Sequence, residues 1–70
     1  MSTREKVTNS VEYYRRKAGM TQEELAQAVT VTRQTIISIE KGNYVPSVLL
    51  ALKISERFNV PLEKVFIYEK

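Results

Sequence analysis

Seventy residues with neither cysteine nor histidine make one small domain that must be held by an apolar core. That inventory excludes disulfides, thiolate and imidazole metal sites, and Ser-His or Cys-His catalysis, so the expectation is no enzyme, no metal and no cofactor. Eleven Lys/Arg against eight Asp/Glu leave a net charge of +3, compatible with a polyanionic partner and equally with an ordinary solvated surface.

Met1 to Lys6 is polar and lacks the apolar stretch of a signal peptide. No apolar run approaches the ~20 residues of a membrane span, so a cytoplasmic location with no membrane partner is expected. Residues 1–8 read as an N-terminal arm with Val7 as its one apolar anchor. Asn9 or Ser10 then caps a first helix whose buried stripe is Val11, Tyr14 and Ala18. Gly19 stops that helix in a left-handed backbone position, and Met20 follows as a core plug. Arg15, Arg16 and Lys17 fall in its last turn, where cations complement the macrodipole. For Arg16 and Lys17 that bland role competes with a DNA contact.

The stretch from Thr21 to Lys41 reads as two short helices joined by a tight turn. Thr21 with Glu24 three residues on is a capping-box start, and Leu25, Ala26 and Val29 fall on one face. Thr30 and Val31 make the break. Thr32 offers a second N-cap hydroxyl, and Ile36 and Ile39 repeat the spacing of a buried stripe. Arg33, Gln34, Ile37 and Ser38 then lie on the other side of the third helix. Arg and Gln side by side at a helix start, with a small polar residue one turn later, are the side chains that reach base edges in a major groove. The pattern therefore points to a helix-turn-helix in which Arg33, Gln34 and Ser38 read DNA.

Gly42 ends the third helix as Gly19 ended the first, and Asn43, Tyr44 and Val45 form a loop closed by Pro46 and Ser47. Ser47 caps a fourth helix running to about Phe58. Its apolar positions, Val48, Leu50, Ala51, Leu52, Ile54 and Phe58, exceed one narrow stripe, so this helix is expected to be central and covered on several sides. Leu49, on the face shared with Lys53 and Glu56, is either a plainly exposed leucine or a dimer contact. Asn59 breaks the chain, and Pro61 suits the first turn of a fifth helix from Leu62 to Val65 or Phe66. The tail Val65 to Tyr68 is β-branched and aromatic, which favours an extended strand, and Val7 offers a partner for it. The expected architecture is all-α, with five helices and the option of a short terminal β-ribbon. Its division is an arm at 1–8, a DNA-binding domain at 9–67 and a tail at 68–70.

The segments A-G-M-T-Q-E-E-L-A, V-T-R-Q-T-I-I-S-I-E-K-G, P-S-V-L-L-A-L-K-I and V-P-L-E-K-V-F, in that order, resemble the phage-repressor and Cro type of helix-turn-helix, often called XRE-like. The similarity covers about residues 9–67, and the length is similar to small bacterial regulators of the cytolysin-repressor kind. The resemblance implies a lambda-repressor-like fold with helices two and three as the helix-turn-helix, acting as a dimer with a short terminal β-ribbon. It implies that Gln22 hydrogen-bonds a phosphate, and that Thr32, Arg33, Gln34 and Ser38 face DNA, Thr32 at the backbone. Lys41 and Asn43 would grip phosphate in the following loop, and Arg15 with Glu40 would form a structural ion pair.

Two positions depart from that family's pattern. Thr30 stands where glycine is usual, so either the turn avoids positive φ or it accepts strain. Ile37 occupies a site more often polar, where it either packs on a thymine methyl or turns inward as core. Together these readings predict a regulator of double-stranded DNA, by default a repressor, binding a palindromic operator as a homodimer with half-sites ~34 Å apart. Val60, Leu62, Ile67 and Tyr68 are the expected dimer contacts. A protein-interaction module using Leu49, Ile37 and Tyr13 is the alternative.

Overall fold

The computed structural model describes residues 5–70. In chain order it holds β1 (Lys6–Asn9), α1 (Val11–Lys17), α2 (Gln22–Ala28), α3 (Arg33–Glu40), α4 (Val48–Phe58), α5 (Leu62–Val65) and β2 (Phe66–Glu69). Residues 1–4 of the expected arm lie outside the described residues. Among the described residues the domain is mostly helical, with five helices and one two-stranded antiparallel sheet.

Helices this short spend much of their backbone on their ends, so the way each one stops matters. Four stop in the same manner. After α1, Gly19 takes φ +71°, its N–H donates to Arg16, and Met20 N–H donates to Arg15, both at 3.0 Å. After α3, Gly42 takes φ +80°, and the N–H groups of Gly42 and Asn43 donate at 2.9 Å to Ile39 and Ser38. Asn59 closes α4 at φ +57°, with Val60 N–H donating to Ser55 at 3.1 Å. Each is a Schellman motif, which needs one left-handed residue. Thr30 fills that place after α2 at φ +65°, with Val31 N–H donating to Ala26 at 2.9 Å and Thr30 N–H to Gln27 at 3.3 Å. The turn therefore accepts a strained β-branched residue rather than avoiding positive φ.

The core joins Val11 of α1, Leu25, Ala26 and Val29 around α2, Ile36 and Ile39 of α3, Leu50 and Ile54 of α4, and Val65 of α5. Burying each larger aliphatic side chain stabilises the fold by about 1.5–3 kcal/mol. Tyr14, Met20, Val31, Phe58, Val60 and Phe66 pack against this cluster, with the Tyr14 and Phe58 ring centres 5.9 Å apart.

Two expectations about faces are corrected. Ala18 is exposed, and Arg15 takes the buried position beside Val11 on α1. Helix α4 is covered on one side only: Leu50, Ala51, Ile54 and Ser55 are buried, whereas Val48 is 72%, Leu49 69% and Leu52 49% exposed. So small a chain has too few other elements to wrap a central helix, and α4 packs as an ordinary amphipathic one.

The ribbon pairs Lys6 with Glu69, Val7 with Tyr68, Thr8 with Ile67 and Asn9 with Phe66. It crosses both of the divisions expected from the sequence, at 8/9 and at 67/68. A bare two-stranded ribbon is marginal, and this one is tied down at its base. Ser10 N–H donates to the Val65 carbonyl at 2.8 Å, and Asn9 Nδ2 donates to the Ile39 carbonyl at 2.9 Å. The cap on α1 is also Asn9, whose Oδ1 accepts from Val11 N–H at 3.1 Å, while the Ser10 hydroxyl makes no cap bond.

Candidate nucleic-acid interface

Local capping chemistry sets up the α2–α3 unit. Thr21 Oγ1 accepts from Glu24 N–H at 3.0 Å while Thr21 N–H donates to Glu24 Oε1 at 2.8 Å, a complete capping box. Thr32 Oγ1 accepts from Thr35 N–H at 3.3 Å and lies 3.1 Å from the Thr35 hydroxyl. The Thr32 hydroxyl is thus engaged at the helix start, beside where it was expected to meet a phosphate.

Helical geometry does the rest. Ile36 and Ile39 are fully buried, and this rotates Arg33 and Gln34 outward from the first turn of α3, where both are exposed. Ser38 is half-buried one turn on, with Gln34 Nε2 reaching toward its Oγ at 3.5 Å. Ile37 is half-buried too, so it neither joins the core cluster nor stands fully free. Lys41 and Asn43 are exposed on either side of Gly42.

Two shallow concavities flank α3. One, about 380 Å³, is lined by Thr32, Gln34, Thr35, Ser38, Asn43 and Tyr44. It brings together four of the residues singled out in the sequence and adds Thr35 and Tyr44, which were not. Thr35 precedes Ser38 by three positions, a same-face spacing that could have found it. Tyr44 carries no such signal, because only the folded loop places its ring there. The other, about 350 Å³, gathers Gln22, Thr21 and Arg33 with Arg15 and Arg16 of α1 and the acidic Glu12 and Glu23. Arg16 is paired there with Glu12 at 2.9 Å, an exposed contact of little energetic value.

Behind α3 lies a polar network. Arg15 Nε and Nη2 donate to the two carboxylate oxygens of Glu40 at 2.6 and 3.2 Å, and Arg15 Nη1 donates to the Met20 carbonyl at 2.9 Å. Both side chains are nearly buried, at 9% and 5% exposure. The forked guanidinium matches the carboxylate and satisfies it on two sides. The hydrogen bond to Glu40 holds the Arg15 pKa above its ordinary value, against the opposing effect of burial. Gln22 Nε2 also donates to Glu40 Oε1, at 3.1 Å, so the residue expected at a phosphate is hydrogen-bonded to the end of α3.

The expected dimer contacts are not equivalent. Val60 is half-buried and spends its side chain on the core. Leu62 lines an apolar groove of about 230 Å³ with Val7, Val45, Val48, Phe66 and Tyr68 among others. Ile67 and Tyr68 are exposed on the ribbon. The Tyr68 hydroxyl donates to the Glu5 carboxylate, which raises its pKa above the usual phenol value. Among the described residues, no helix is long and apolar enough to cross a membrane.

The helix-turn-helix family pattern matches residues 11–65. An uncharacterized HTH-type transcriptional regulator of Methanocaldococcus jannaschii is 54% identical over 61 residues, spanning 87% of this chain and 92% of the relative. The uncharacterized HTH-type transcriptional regulator YgzD of Bacillus subtilis is 52% identical over 62 residues, spanning 89% and 94%. Among solved structures, the restriction-modification controller protein C.AhdI of Aeromonas hydrophila superposes with a TM-score of 0.72 at 22% identity, over 77% of this chain and 82% of that one. The transcriptional regulator VanUg superposes at 0.75 with 22% identity, over 97% and 91%. These last two show a shared fold. This chain belongs to the XRE-type helix-turn-helix family, and the relatives it matches along nearly their whole length carry the name of HTH-type transcriptional regulators.

Proposed function

We propose that this chain is a sequence-specific DNA-binding transcriptional regulator, a repressor that binds a palindromic operator as a homodimer. The observation that carries the reading is the outward pair Arg33 and Gln34 on the first turn of α3, held there by the buried Ile36 and Ile39. In this reading α2 and α3 form the helix-turn-helix and α3 enters the major groove. Arg33 pairs with guanine O6 and N7, Gln34 with adenine N6 and N7, and each good pair discriminates by about 1–3 kcal/mol. Ser38 serves the next base edge, and the half-exposed Ile37 meets a thymine methyl. Gln22, Thr32, Lys41 and Asn43 hold phosphates, fixing register without reading sequence.

One module of this size buries little DNA surface, so tight specific binding is expected of a two-fold dimer. The apolar groove beside Leu62 and the exposed Ile67 and Tyr68 favour an interface on the α5–β2 side. The test is to select bound sequences from a random DNA pool and measure Arg33→Ala and Gln34→Ala on the winner. A palindromic consensus, and variants that lose affinity with unchanged circular dichroism, support the reading. Variants that bind like the parent refute the recognition assignment.

A second reading, a protein-interaction module, draws on Leu49 of α4 and Tyr13 of α1, which are large, apolar and exposed, and on the half-buried Ile37. Salt separates the two. DNA binding falls steeply from low to physiological ionic strength, whereas an apolar interface barely responds.

A further inference from the structure

Gln22 opens α2 and Glu40 closes α3, yet Gln22 Nε2 donates to Glu40 Oε1 at 3.1 Å. A carboxylate only accepts, so the amide must turn its nitrogen, not its oxygen, toward Glu40. That nitrogen carries two hydrogens in one plane. Engaging the first on Glu40 fixes the direction of the second. Gln22 also lines the shallow basin that contains Thr21, Arg15, Arg16 and Arg33 together with the acidic Glu12 and Glu23; Arg16 is paired with Glu12, and Arg33 makes no ion pair among the described residues. An anion seated beside Gln22 would find Arg33 as the cation not already committed to a carboxylate, since Arg15 is held by Glu40 and Arg16 by Glu12.

We propose that Glu40 is a positioning residue for DNA-backbone binding: it locks the Gln22 amide so that an N–H faces a phosphate seated in this basin. The proposal rests on the DNA-binding reading above and adds the part played by Glu40. A carboxylate close to a phosphate would normally repel it. Arg15 removes that objection, because its Nε and Nη2 both bind Glu40 and leave the pair neutral. The Arg15–Glu40 pair therefore has a second task besides joining α1 to α3. An unlocked glutamine must select one rotamer and one amide face on binding, and the lock has settled both before DNA arrives.

The test is a mutant cycle on the selected operator with Gln22→Ala, Glu40→Gln and the double variant, each checked for folding by circular dichroism. Glu40→Gln should weaken binding about 2- to 10-fold, the scale of ordering one long side chain. In the Gln22→Ala background the same substitution should change affinity by less than about 2-fold, while its loss of thermal stability persists in both backgrounds. A structural role alone would move stability without this dependence on Gln22. Equal weakening in both backgrounds overturns the proposal, as does unchanged affinity in Glu40→Gln. Should Glu40→Gln fail to fold, relaxation of the Gln22 side-chain amide in the free parent decides: a rigid amide supports the lock and a freely rotating one overturns it. Arg33→Ala run alongside separates the two levels. If it too binds like the parent, the DNA-binding reading falls and the proposal with it. If it loses binding while the cycle is additive, only the lock is wrong.

Discussion

Among the described residues Thr30 is the one left-handed helix stop that is neither glycine nor asparagine, and replacing it with glycine should stabilise the fold. A β-branched residue at φ +65° carries the Cβ–carbonyl clash of the left-handed region, which costs about 1–2 kcal/mol. Glycine removes that clash but adds about 0.4–1 kcal/mol of chain entropy to the unfolded state. The exposed Thr30 side chain contributes no packing to the core, so the difference centres on a net gain of about 0.8 kcal/mol. For a domain of this size that raises Tm by about 2–8 °C. The reverse substitution at an equivalent stop provides the control. A Cβ on Gly42 meets nothing within 4 Å, so Gly42→Ala adds the left-handed clash of about 1–2 kcal/mol, offset by about 0.4–1 kcal/mol of lost unfolded-chain entropy, and should lower stability by about 0.8 kcal/mol. Both are read by thermal and urea unfolding. A Thr30→Gly variant that unfolds earlier than the parent, beside a neutral Gly42→Ala, would refute the reasoning that positive φ is the controlling term.

Arg15→Ala leaves Glu40 buried without its cation and should lose about 3–5 kcal/mol in urea unfolding; a loss below about 1 kcal/mol would mean the pair is solvated in practice. The Ser55 hydroxyl is buried without a hydrogen-bond partner among the described residues, so Ser55→Ala should be neutral or stabilising by about 1 kcal/mol, checked by the same melts. Leu62→Arg should convert the proposed dimer to a folded monomer in sedimentation, and an unchanged sedimentation coefficient would exclude the α5–β2 side as the interface. The Tyr68 phenol should titrate above its ordinary value by ultraviolet absorbance. Its raised pKa means that the bond to Glu5 supports the ribbon at lower pH and is lost as pH rises through the folded value.

Much of this protein is written in signals that act within a single turn of chain. Thr21 with Glu24 announces α2, Thr32 and Ser47 start α3 and α4, and Gly19 and Gly42 stop their helices, because caps and left-handed stops depend only on near neighbours. The buried set Leu25, Ala26, Val29, Ile36 and Ile39 was equally legible from periodicity, and it orients Arg33 and Gln34 outward. Long-range choices were not legible in this way. Periodicity could not say that Arg15 would displace Ala18 from the buried face of α1, since that depends on Glu40 arriving from α3. Nor could it say which apolar side of α4 would stay in water, because coverage depends on where the other elements land. The placement of Tyr44 beside Ser38 depends on how the loop after α3 folds back, and the anchoring of Asn9 on Ile39 and the bond from Gln22 to Glu40 join residues distant in sequence. Such contacts carry no local pattern. They exist only once the core has closed and brought the ends of separate helices within hydrogen-bonding reach.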